Sequence, residues 1–288
     1  MKGMVLTAPH EVAPKDVKPP ERDSGEALIR VSNSGICGTD LKIFQGGIPV
    51  VYPRIMGHES VGEVAEAGTG VKSGAPVIVD PAYNCGTCYI CRSGQPNLCP
   101  NGGLLGRDVD GGFAELQTVP AQNIYMLPEQ IDLSVAPLIQ PMTTCLHAQR
   151  LAKISPGEAV IVMGLGVTGL LHVQLAKAHG AYPVIGITRS QWKRELAEKV
   201  GADLTLAPDV DTKDKVLDAT GGHGADLVIE SVGKLSVLAQ AIDLVRRGVV
   251  KLEPLISHRF PLDQIDQALG LLDSGDSGRM KIILNHGV

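Results

Sequence analysis

The stretch of sequence that decides the fold is Ala159-Val160-Ile161-Val162-Met163-Gly164-Leu165-Gly166-Val167-Thr168-Gly169. Its apolar first half predicts a buried parallel strand, because neighbouring helices cover both faces of such a strand. The glycines that follow predict a tight turn into a helix, where the backbone can approach a pyrophosphate at the helix amino end. This strand–turn–helix context predicts a dinucleotide site at five residues: Gly164, Gly166, Val167, Thr168 and Gly169.

Strands and helices alternate on both sides of this stretch. A second apolar run at 184–188 leads into a predicted helix at 191–200, and a later run at 226–230 predicts another strand. Alternation of this kind is typical of a doubly wound parallel sheet, in which each helix crosses back over the sheet. We therefore expect a Rossmann-type dinucleotide-binding domain at 138–250.

The end of the second predicted strand bears on the choice of coenzyme. An acidic residue there would bind the ribose hydroxyls of NAD and repel the 2′-phosphate of NADP. This chain instead reads Thr188-Arg189-Ser190, which contains no carboxylate. Arg189 can pair with a phosphate through its guanidinium group, and Ser190 can add a hydrogen bond. The stretch favours NADP over NAD, although an exposed arginine at a strand end is also common.

The first half of the chain has a different rhythm. Short apolar runs such as 27–31 and 76–80 alternate with turn residues, which predicts a β-rich domain at 1–137. The whole chain has 288 residues, of which 44% are hydrophobic, so it is long enough for two cores.

Charge and composition exclude several classes of protein. A formal net charge of −5 argues against general nucleic-acid binding, which needs a basic surface. The sequence has no apolar run of the roughly 18 residues that a membrane span needs. Residues 1–10 lack a charged segment followed by an apolar core, so we expect a cytoplasmic protein that acts at neither nucleic acid nor membrane.

Four cysteines within fifteen residues form the strongest local motif: Cys85, Cys88, Cys91 and Cys99. Four thiolates can close a tetrahedral Zn²⁺ site with no open position, which stabilises a loop and does not catalyse. A pair of disulfides is disfavoured in a cytoplasmic protein. An iron–sulfur cluster is disfavoured because the spacing differs from that of bacterial ferredoxins. The motif predicts a structural zinc site.

A second group of metal-binding side chains lies closer to the amino terminus. Cys37-Gly38-Thr39-Asp40 and Gly57-His58-Glu59 offer a thiol, an imidazole and carboxylates. These are the ligand types of a catalytic zinc, which keeps one position for water or substrate. The second stretch continues with Gly62, Gly68 and Val71 at fixed spacings. Together with the four cysteines and the later glycine turn, this pattern resembles the zinc-containing medium-chain dehydrogenase/reductase family over nearly the whole chain.

The resemblance implies a fold and a role for each matching residue. It implies a GroES-like catalytic domain before the Rossmann domain, two Zn²⁺ ions per chain and a nicotinamide coenzyme. Cys37 and His58 match zinc ligands, and Glu59 matches a carboxylate that binds the zinc directly or lies just behind its ligands. Asp40 matches the carboxylate that orients the ligand histidine. Thr39 matches the hydroxyl that takes the proton of an alcohol substrate into a relay.

Two positions depart from the family pattern. Gln140 stands where relatives carry the third zinc ligand as Cys, Asp or Glu, and an amide oxygen is a weaker ligand. Gln140 resembles what some sugar dehydrogenases carry, which suggests an aldose as an alternative substrate. Lys42 stands where family members often carry the histidine that ends the proton relay. Lys42 is either the end of that relay or an ordinary solvated lysine on the surface, and the sequence favours neither.

The chain also departs from the family in length. After residue 250 it passes directly into 251–260, which resembles the family's return into the catalytic domain. About two βα units, on the order of 50 residues, are missing relative to the family pattern, so we expect a Rossmann sheet short of its last strands. The segment 251–288 is too short to form a domain alone. Within it Arg279 and Lys281 resemble basic residues that approach the coenzyme, and Arg279 is the predicted contact.

The sequence therefore predicts a zinc-dependent oxidoreductase that transfers a hydride between a small alcohol or polyol and NAD(P), with NADP preferred. An aldose dehydrogenase is the alternative substrate class. A non-catalytic protein that binds zinc and a dinucleotide is the alternative functional class, because the sheet is shortened and the third ligand is weak. From the family resemblance we expect a homodimer or homotetramer.

Overall fold

A computed structural model describes residues 1–66, 72–245, 256–273 and 281–285 of the chain. The chain divides into two compact units, Met1–Thr144 and Cys145–Val288. The division falls inside one helix, seven residues beyond the end of the predicted first domain at 137. Within the described ranges, no helix combines the length and the apolar character that crossing a lipid bilayer requires.

The first unit is built mainly from antiparallel strands. Its strands are β1 (Lys2–Ala8), β2 (Glu11–Asp16), β3 (Glu26–Gly35), β4 (Arg54–Ile55), β5 (Glu59–Glu66), β6 (Pro76–Val79), β7 (Ala82–Tyr83), β8 (Gly103–Leu104), β9 (Leu116–Pro120) and β10 (Ile124–Met126). Its helices are α1 (Gly38–Phe44) and α2 (Tyr89–Arg92), and α3 (Ile139–Ala152) begins at its end. The predicted strand at 27–31 is confirmed within β3, and the one predicted at 76–80 is confirmed as β6, which ends one residue earlier.

The described strands of this unit form three sheets. The largest has the order β10-β6-β5-β3-β9, a second has the order β2-β1-β4, and β7 pairs with β8. Alternate residues of the strands enter the core, as the pleat of a strand requires. The side chains of Ile29, Val77 and Val119 have no exposed surface and pack together in one cluster.

The pairing of β3 with β5 fixes the geometry at one end of the large sheet. The two strands run antiparallel, and Gly35 lies opposite Glu59. Gly62, on β5, lies so close to β3 that a Cβ there would overlap the carbonyl oxygen of Arg30 and lie 3.0 Å from the Cα of Val31. The glycine at this position of the family motif therefore allows the two backbones to approach.

The second unit contains a parallel sheet with helices on both faces. Its elements are β11 (Val160–Met163), α4 (Val167–Ala178), β12 (Val184–Ile187), α5 (Gln191–Lys199), β13 (Leu204–Leu206), α6 (Thr212–Ala219), β14 (Leu227–Glu230), α7 (Leu235–Leu244), β15 (Ile256–Pro261), α8 (Ile265–Asp273) and β16 (Lys281–Asn285). Val160 and Val162 pack into one core cluster, while Ile161 and Met163 pack into the cluster on the opposite face. The predicted doubly wound sheet is confirmed.

The sheet of the second unit is short. Its order is β13-β12-β11-β14, whereas the complete form of this fold has six strands in the order 3-2-1-4-5-6. All four residues of β14 are partly exposed, while those of β11 and β12 are buried. In the described part of the chain, the sheet therefore ends at β14 apart from a single parallel bridge between Ala225 and Val245. The predicted junction at Val250–Lys251 lies outside the described residues.

The carboxyl-terminal segment forms a small motif of its own. β15 pairs in parallel with β16, and α8 lies between them in the chain. Ala268 on α8 is buried, with 4% of its surface exposed. Arg279, predicted as a coenzyme contact, lies outside the described residues.

Gly62→Ala tests the close approach of β3 and β5. The added Cβ meets backbone atoms of Arg30, which cannot rotate away as a side chain can, so we expect a loss of about 1–3 kcal/mol in stability. Gly47→Ala is the matched control, because a Cβ there would lie 3.5 Å from the Lys42 carbonyl oxygen, an ordinary contact. Urea unfolding followed by circular dichroism measures both variants. Equal stability of the two would contradict this pairing of the strands.

Candidate functional site

Cys37, His58 and Glu59 come together where β3 and β5 meet. Cys37 follows β3 and immediately precedes α1, while His58 immediately precedes β5, whose first residue is Glu59. The candidate ligand atoms of the three side chains all lie within 4.8 Å of one another. His58 and Glu59 are each only 6% exposed. Three donors of these types match a zinc ion that keeps one open position.

Asp40 supports this group from the first turn of α1. Its carboxylate accepts a hydrogen bond of 2.8 Å from the backbone N–H of Cys37. Its other oxygen lies 3.3 Å from Nδ1 of His58, although the angle is not that of a well-aligned hydrogen bond. Because Asp40 contacts Nδ1, Nε2 is the His58 nitrogen that remains for a metal.

The electrostatics of the group fit a divalent cation. Contact with His58 is the main effect that lowers the pKa of the Cys37 thiol. Burial lowers the pKa of His58, but contacts with Asp40 and Cys37 outweigh burial and raise that pKa to about 10. Burial raises the pKa of Glu59. A thiol and two carboxyl groups thus compete for positive charge in a nearly buried space, and a divalent cation would supply it.

Three further residues predicted for this site, Thr39, Lys42 and Gln140, also lie in the first unit. The Thr39 hydroxyl contacts the sulfur of Cys37 and helps to lower the pKa of that thiol. Lys42 is exposed on α1. Gln140, near the start of α3, lines a cleft together with Asp80 and Tyr125, and Cys37, His58 and Glu59 do not line this cleft.

The four-cysteine cluster has the dimensions of a tetrahedral zinc site. The Sγ atoms of Cys85 and Cys99, and those of Cys88 and Cys91, are 3.5 Å apart. The Cys88–Cys99 and Cys85–Cys91 separations are 3.8 and 3.9 Å. Zn–S bonds of about 2.3 Å in a tetrahedron place the sulfurs about 3.8 Å apart. All six cysteines of the chain are free, so the disulfide alternative is not supported.

Backbone N–H groups favour thiolates in this cluster. The N–H of Cys88 donates to the sulfur of Cys85 at 3.4 Å, and the N–H of Cys91 donates to the sulfur of Cys88 at the same distance. Hydrogen bonds from the backbone at Thr87 and Cys88 lower the pKa of Cys85 to about 5. Desolvation raises the pKa of Cys91 to about 12. The loop therefore stabilises negative charge on one sulfur, and a shared cation would stabilise all four.

The glycine turn of the second unit has the geometry of a dinucleotide site. Gly164 has a φ of 89°, and a Cβ on Gly169 would overlap the Gly164 carbonyl oxygen. Gly166 precedes α4 directly, and a Cβ there would meet nothing within 4 Å. The first and third glycines thus permit the tight turn. The second leaves open space in front of the exposed residues Val167 and Thr168, where a phosphate could approach the backbone.

Two contacts at this edge of the sheet were not predicted from the sequence. The Ser231 hydroxyl, just after β14, contacts the carbonyl oxygens of Met163 and Gly164 at 3.0 and 2.7 Å and so ties the turn to the next strand. Arg194 donates to the carbonyl oxygens of Thr188 and Arg189 at 2.8 and 3.0 Å. No local pattern indicates Ser231, whereas the position of Arg194 four residues after Ser190 on α5 could have indicated a contact with the strand end.

The predicted coenzyme-specificity residues lie at this strand end. Thr188 follows β12, Arg189 is exposed, and Ser190 precedes α5 directly. The guanidinium group of Arg194 bonds the backbone on the same segment. Two arginines thus follow β12 in a place where a carboxylate would favour NAD.

Comparison with known proteins identifies both units. Residues 23–129 match the alcohol dehydrogenase GroES-like domain, and residues 167–250 match the zinc-binding dehydrogenase domain. L-threonine 3-dehydrogenase of Pyrococcus horikoshii is 34% identical over 93% of this chain and 94% of its own length. Sorbitol dehydrogenase of Halalkalibacterium halodurans is 34% identical over 86% of this chain and 74% of its own length.

Solved structures agree with these matches. A zinc-binding dehydrogenase of Sinorhizobium meliloti bound to NADP has a TM-score of 0.80 and 29% identity, with 99% of each chain covered. A protein described as a short chain alcohol dehydrogenase of Escherichia coli, in complex with NADH, has a TM-score of 0.78 and 28% identity, also with 99% of each chain covered. Structural relatives thus include complexes with either coenzyme.

The alignment with the Pyrococcus protein also bears on the shortened sheet. It spans 328 positions against 288 residues in this chain, so at least 40 positions have no counterpart here. This difference supports the predicted absence of an internal segment. With both domains matched in order, and relatives 34% identical over most of its length, the chain belongs to the zinc-containing medium-chain dehydrogenase/reductase family of oxidoreductases.

Proposed function

We propose that this protein oxidises a small alcohol or polyol with NADP at a catalytic zinc site formed by Cys37, His58 and Glu59. The observation that carries the proposal is the convergence of these three donors within 4.8 Å in a nearly buried position. The names of the relatives, which include a threonine and a sorbitol dehydrogenase, support a polar hydroxyl-bearing substrate. Gln140 stays a predicted, weaker ligand of this site.

The residues of the site divide the chemistry among them. A bound Zn²⁺ supplies Lewis-acid polarisation of the substrate hydroxyl and lowers its pKa. Cys37, His58 and Glu59 would hold the ion, and Asp40 would orient His58 through Nδ1. The Thr39 hydroxyl accepts the proton that leaves the alcohol and passes its own proton outward. The turn from Gly164 to Gly169 would hold a nicotinamide coenzyme, which would supply the two-electron oxidant for conversion of the alcohol to a carbonyl compound.

The second metal has a different role in this proposal. Cys85, Cys88, Cys91 and Cys99 use all four positions of a tetrahedral ion, which leaves no position for a substrate. We therefore propose that this zinc stabilises the loop from 85 to 99 and takes no part in catalysis. Together the two sites give two Zn²⁺ ions per chain.

One observation favours a second candidate function, a zinc- and dinucleotide-binding protein without turnover. The described parallel sheet has four strands, and its edge strand β14 is partly exposed at every residue.

Incubation with NADP or NAD and a panel of alcohols, polyols and aldoses separates the two functions. Reduction of the coenzyme with any member supports the dehydrogenase and indicates its substrate class. Tight coenzyme and zinc binding with no reduction across the panel supports the second function.

We propose that the protein acts in the cytoplasm and, from the family relationship, that it forms a homodimer or homotetramer. Light scattering coupled to size-exclusion chromatography measures the oligomeric state.

Metal analysis of two cysteine variants tests the division of roles between the zinc sites. We expect the unmodified protein to contain about two zinc ions per chain. Cys99→Ser should lose one ion and lower the unfolding temperature strongly, because structural zinc contributes folding free energy directly. Cys37→Ser should lose the other ion and all activity, with a much smaller change in unfolding temperature. Equal destabilisation by both substitutions would contradict this division.

Thr39→Val tests the proton relay. The valine side chain has a similar shape but no hydroxyl, so zinc and coenzyme binding should persist. Turnover should fall by about 10²–10⁴-fold, the usual contribution of a positioned acid–base group. Thr39→Ser keeps the hydroxyl and is the control that should retain most of the turnover. Normal turnover in Thr39→Val would show that solvent carries the proton without this residue.

Arg189→Asp tests the coenzyme preference. The substitution removes a guanidinium–phosphate attraction of roughly 1.5–3 kcal/mol and adds a carboxylate that repels phosphate. NADP should therefore bind at least about tenfold more weakly, while NAD should bind as before or more tightly. Lys199→Asp makes the same charge change at the far end of α5 and should leave both affinities nearly unchanged. A protein that already prefers NAD, or an Arg189→Asp variant with unchanged affinities, would refute the assignment.

A further inference from the structure

We propose that Gly35 is a positioning residue of the zinc site, because the missing side chain at this position is what allows the Glu59 carboxylate to reach Cys37 and His58. This inference rests on the metal site assigned above. Gly35 lies outside the two motifs that indicated the site, and no role for it follows from the sequence pattern.

The register of the sheet places the two residues face to face. Gly35 is the last residue of β3, Glu59 is the first residue of β5, and they are direct cross-strand partners. Side chains at such positions normally extend side by side, with their Cβ atoms about 4.5–5.5 Å apart. Here the Glu59 side chain instead extends across Gly35 toward Cys37, which lies two residues after Gly35.

The space that a side chain at position 35 would need is already occupied. A Cβ built on Gly35 would overlap Oε2 of Glu59 and lie 3.1 Å from both its Cβ and its Cδ. Glu59 is the only residue among these three nearest neighbours. The φ of Gly35 is not among the positive values, so an alanine there has no backbone strain. Glycine is therefore required at position 35 because the Glu59 carboxylate occupies the space that a side chain would need.

The consequence for metal binding follows from the nature of the conflict. The atom nearest to the added methyl group is the end of a flexible side chain, so the fold can adapt by moving the carboxylate. A carboxylate that has moved away from Cys37 and His58 no longer completes the set of three donors. Gly35→Ala should therefore weaken zinc binding at this site without a direct change to any ligand.

Gly38 offers a matched control three residues away. It is the first residue of α1, and a Cβ there would meet nothing within 4 Å. Gly38→Ala thus makes the same chemical change on the other side of Cys37 without touching Glu59. Zinc affinity of Gly38→Ala should equal that of the unmodified protein.

Competition with a chromogenic chelator measures zinc affinity at this site, which is identified as the ion that Cys37→Ser lacks. We expect Gly35→Ala to raise the zinc dissociation constant about 10–100-fold, as the loss of support around a metal ligand usually does. Glu59→Ala should have a similar effect. Adding Gly35→Ala to Glu59→Ala should produce little further loss, because the two substitutions act through the same carboxylate. The measurement needs neither substrate nor coenzyme.

The outcomes are distinguishable. An unmodified protein that binds no ion through Cys37 refutes the proposed zinc site itself. If that ion binds but Gly35→Ala retains the original affinity, or if its effect adds in full to that of Glu59→Ala, the role of Gly35 is refuted. Should Gly35→Ala alone fail to fold, the double variant must recover the fold, because the carboxylate in conflict is gone. A double variant that stays unfolded also overturns the inference.

Discussion

The antiparallel pairing of β3 with β5 is the constraint on which the candidate zinc site depends. The pairing brings the residue after one strand, Cys37, next to the residues that begin the other, His58 and Glu59. Because a slip of one residue would turn every side chain of a strand to the opposite face, this register decides whether the three donors meet. Gly62 allows the close approach of the strands, and Gly35 leaves room at their end for the Glu59 carboxylate.

This arrangement gathers an unfavourable set of charges. Asp40, Glu59 and the Cys37 thiol surround one imidazole, and His58, Glu59 and Asp40 have at most 6% of their surfaces exposed. Buried acidic groups are costly unless a cation or hydrogen bonds compensate for them. Such groups make the interior less stable than apolar side chains would. Their convergence is therefore typical of a functional site. The four-cysteine loop follows the same principle, with backbone N–H groups that stabilise a thiolate.

The sequence was sufficient to predict those features of the fold and the site that depend on a local pattern of residues. Apolar runs predicted β11, β12 and β14, the spacing of four cysteines predicted their cluster, and the glycine turn predicted the start of α4. Features that depend on contacts between distant segments could not be predicted from the sequence. The register of β3 against β5, the contacts of the Ser231 hydroxyl and the conflict between Gly35 and Glu59 arise only when separated strands pack. The sequence also left the third zinc ligand open between Gln140 and Glu59, because distance along the chain does not report distance in space.

Anomalous diffraction at the zinc absorption edge, measured on crystals of the isolated protein, tests both zinc sites because it locates zinc without reference to activity. We expect two anomalous peaks per chain. One peak should lie within bonding distance of the Cys37 sulfur, Nε2 of His58 and a Glu59 oxygen, and the other at the centre of the four cysteines. A single peak at the cysteine cluster, or a second ion bound by Gln140 with Glu59 turned away, would contradict a zinc site formed by Cys37, His58 and Glu59.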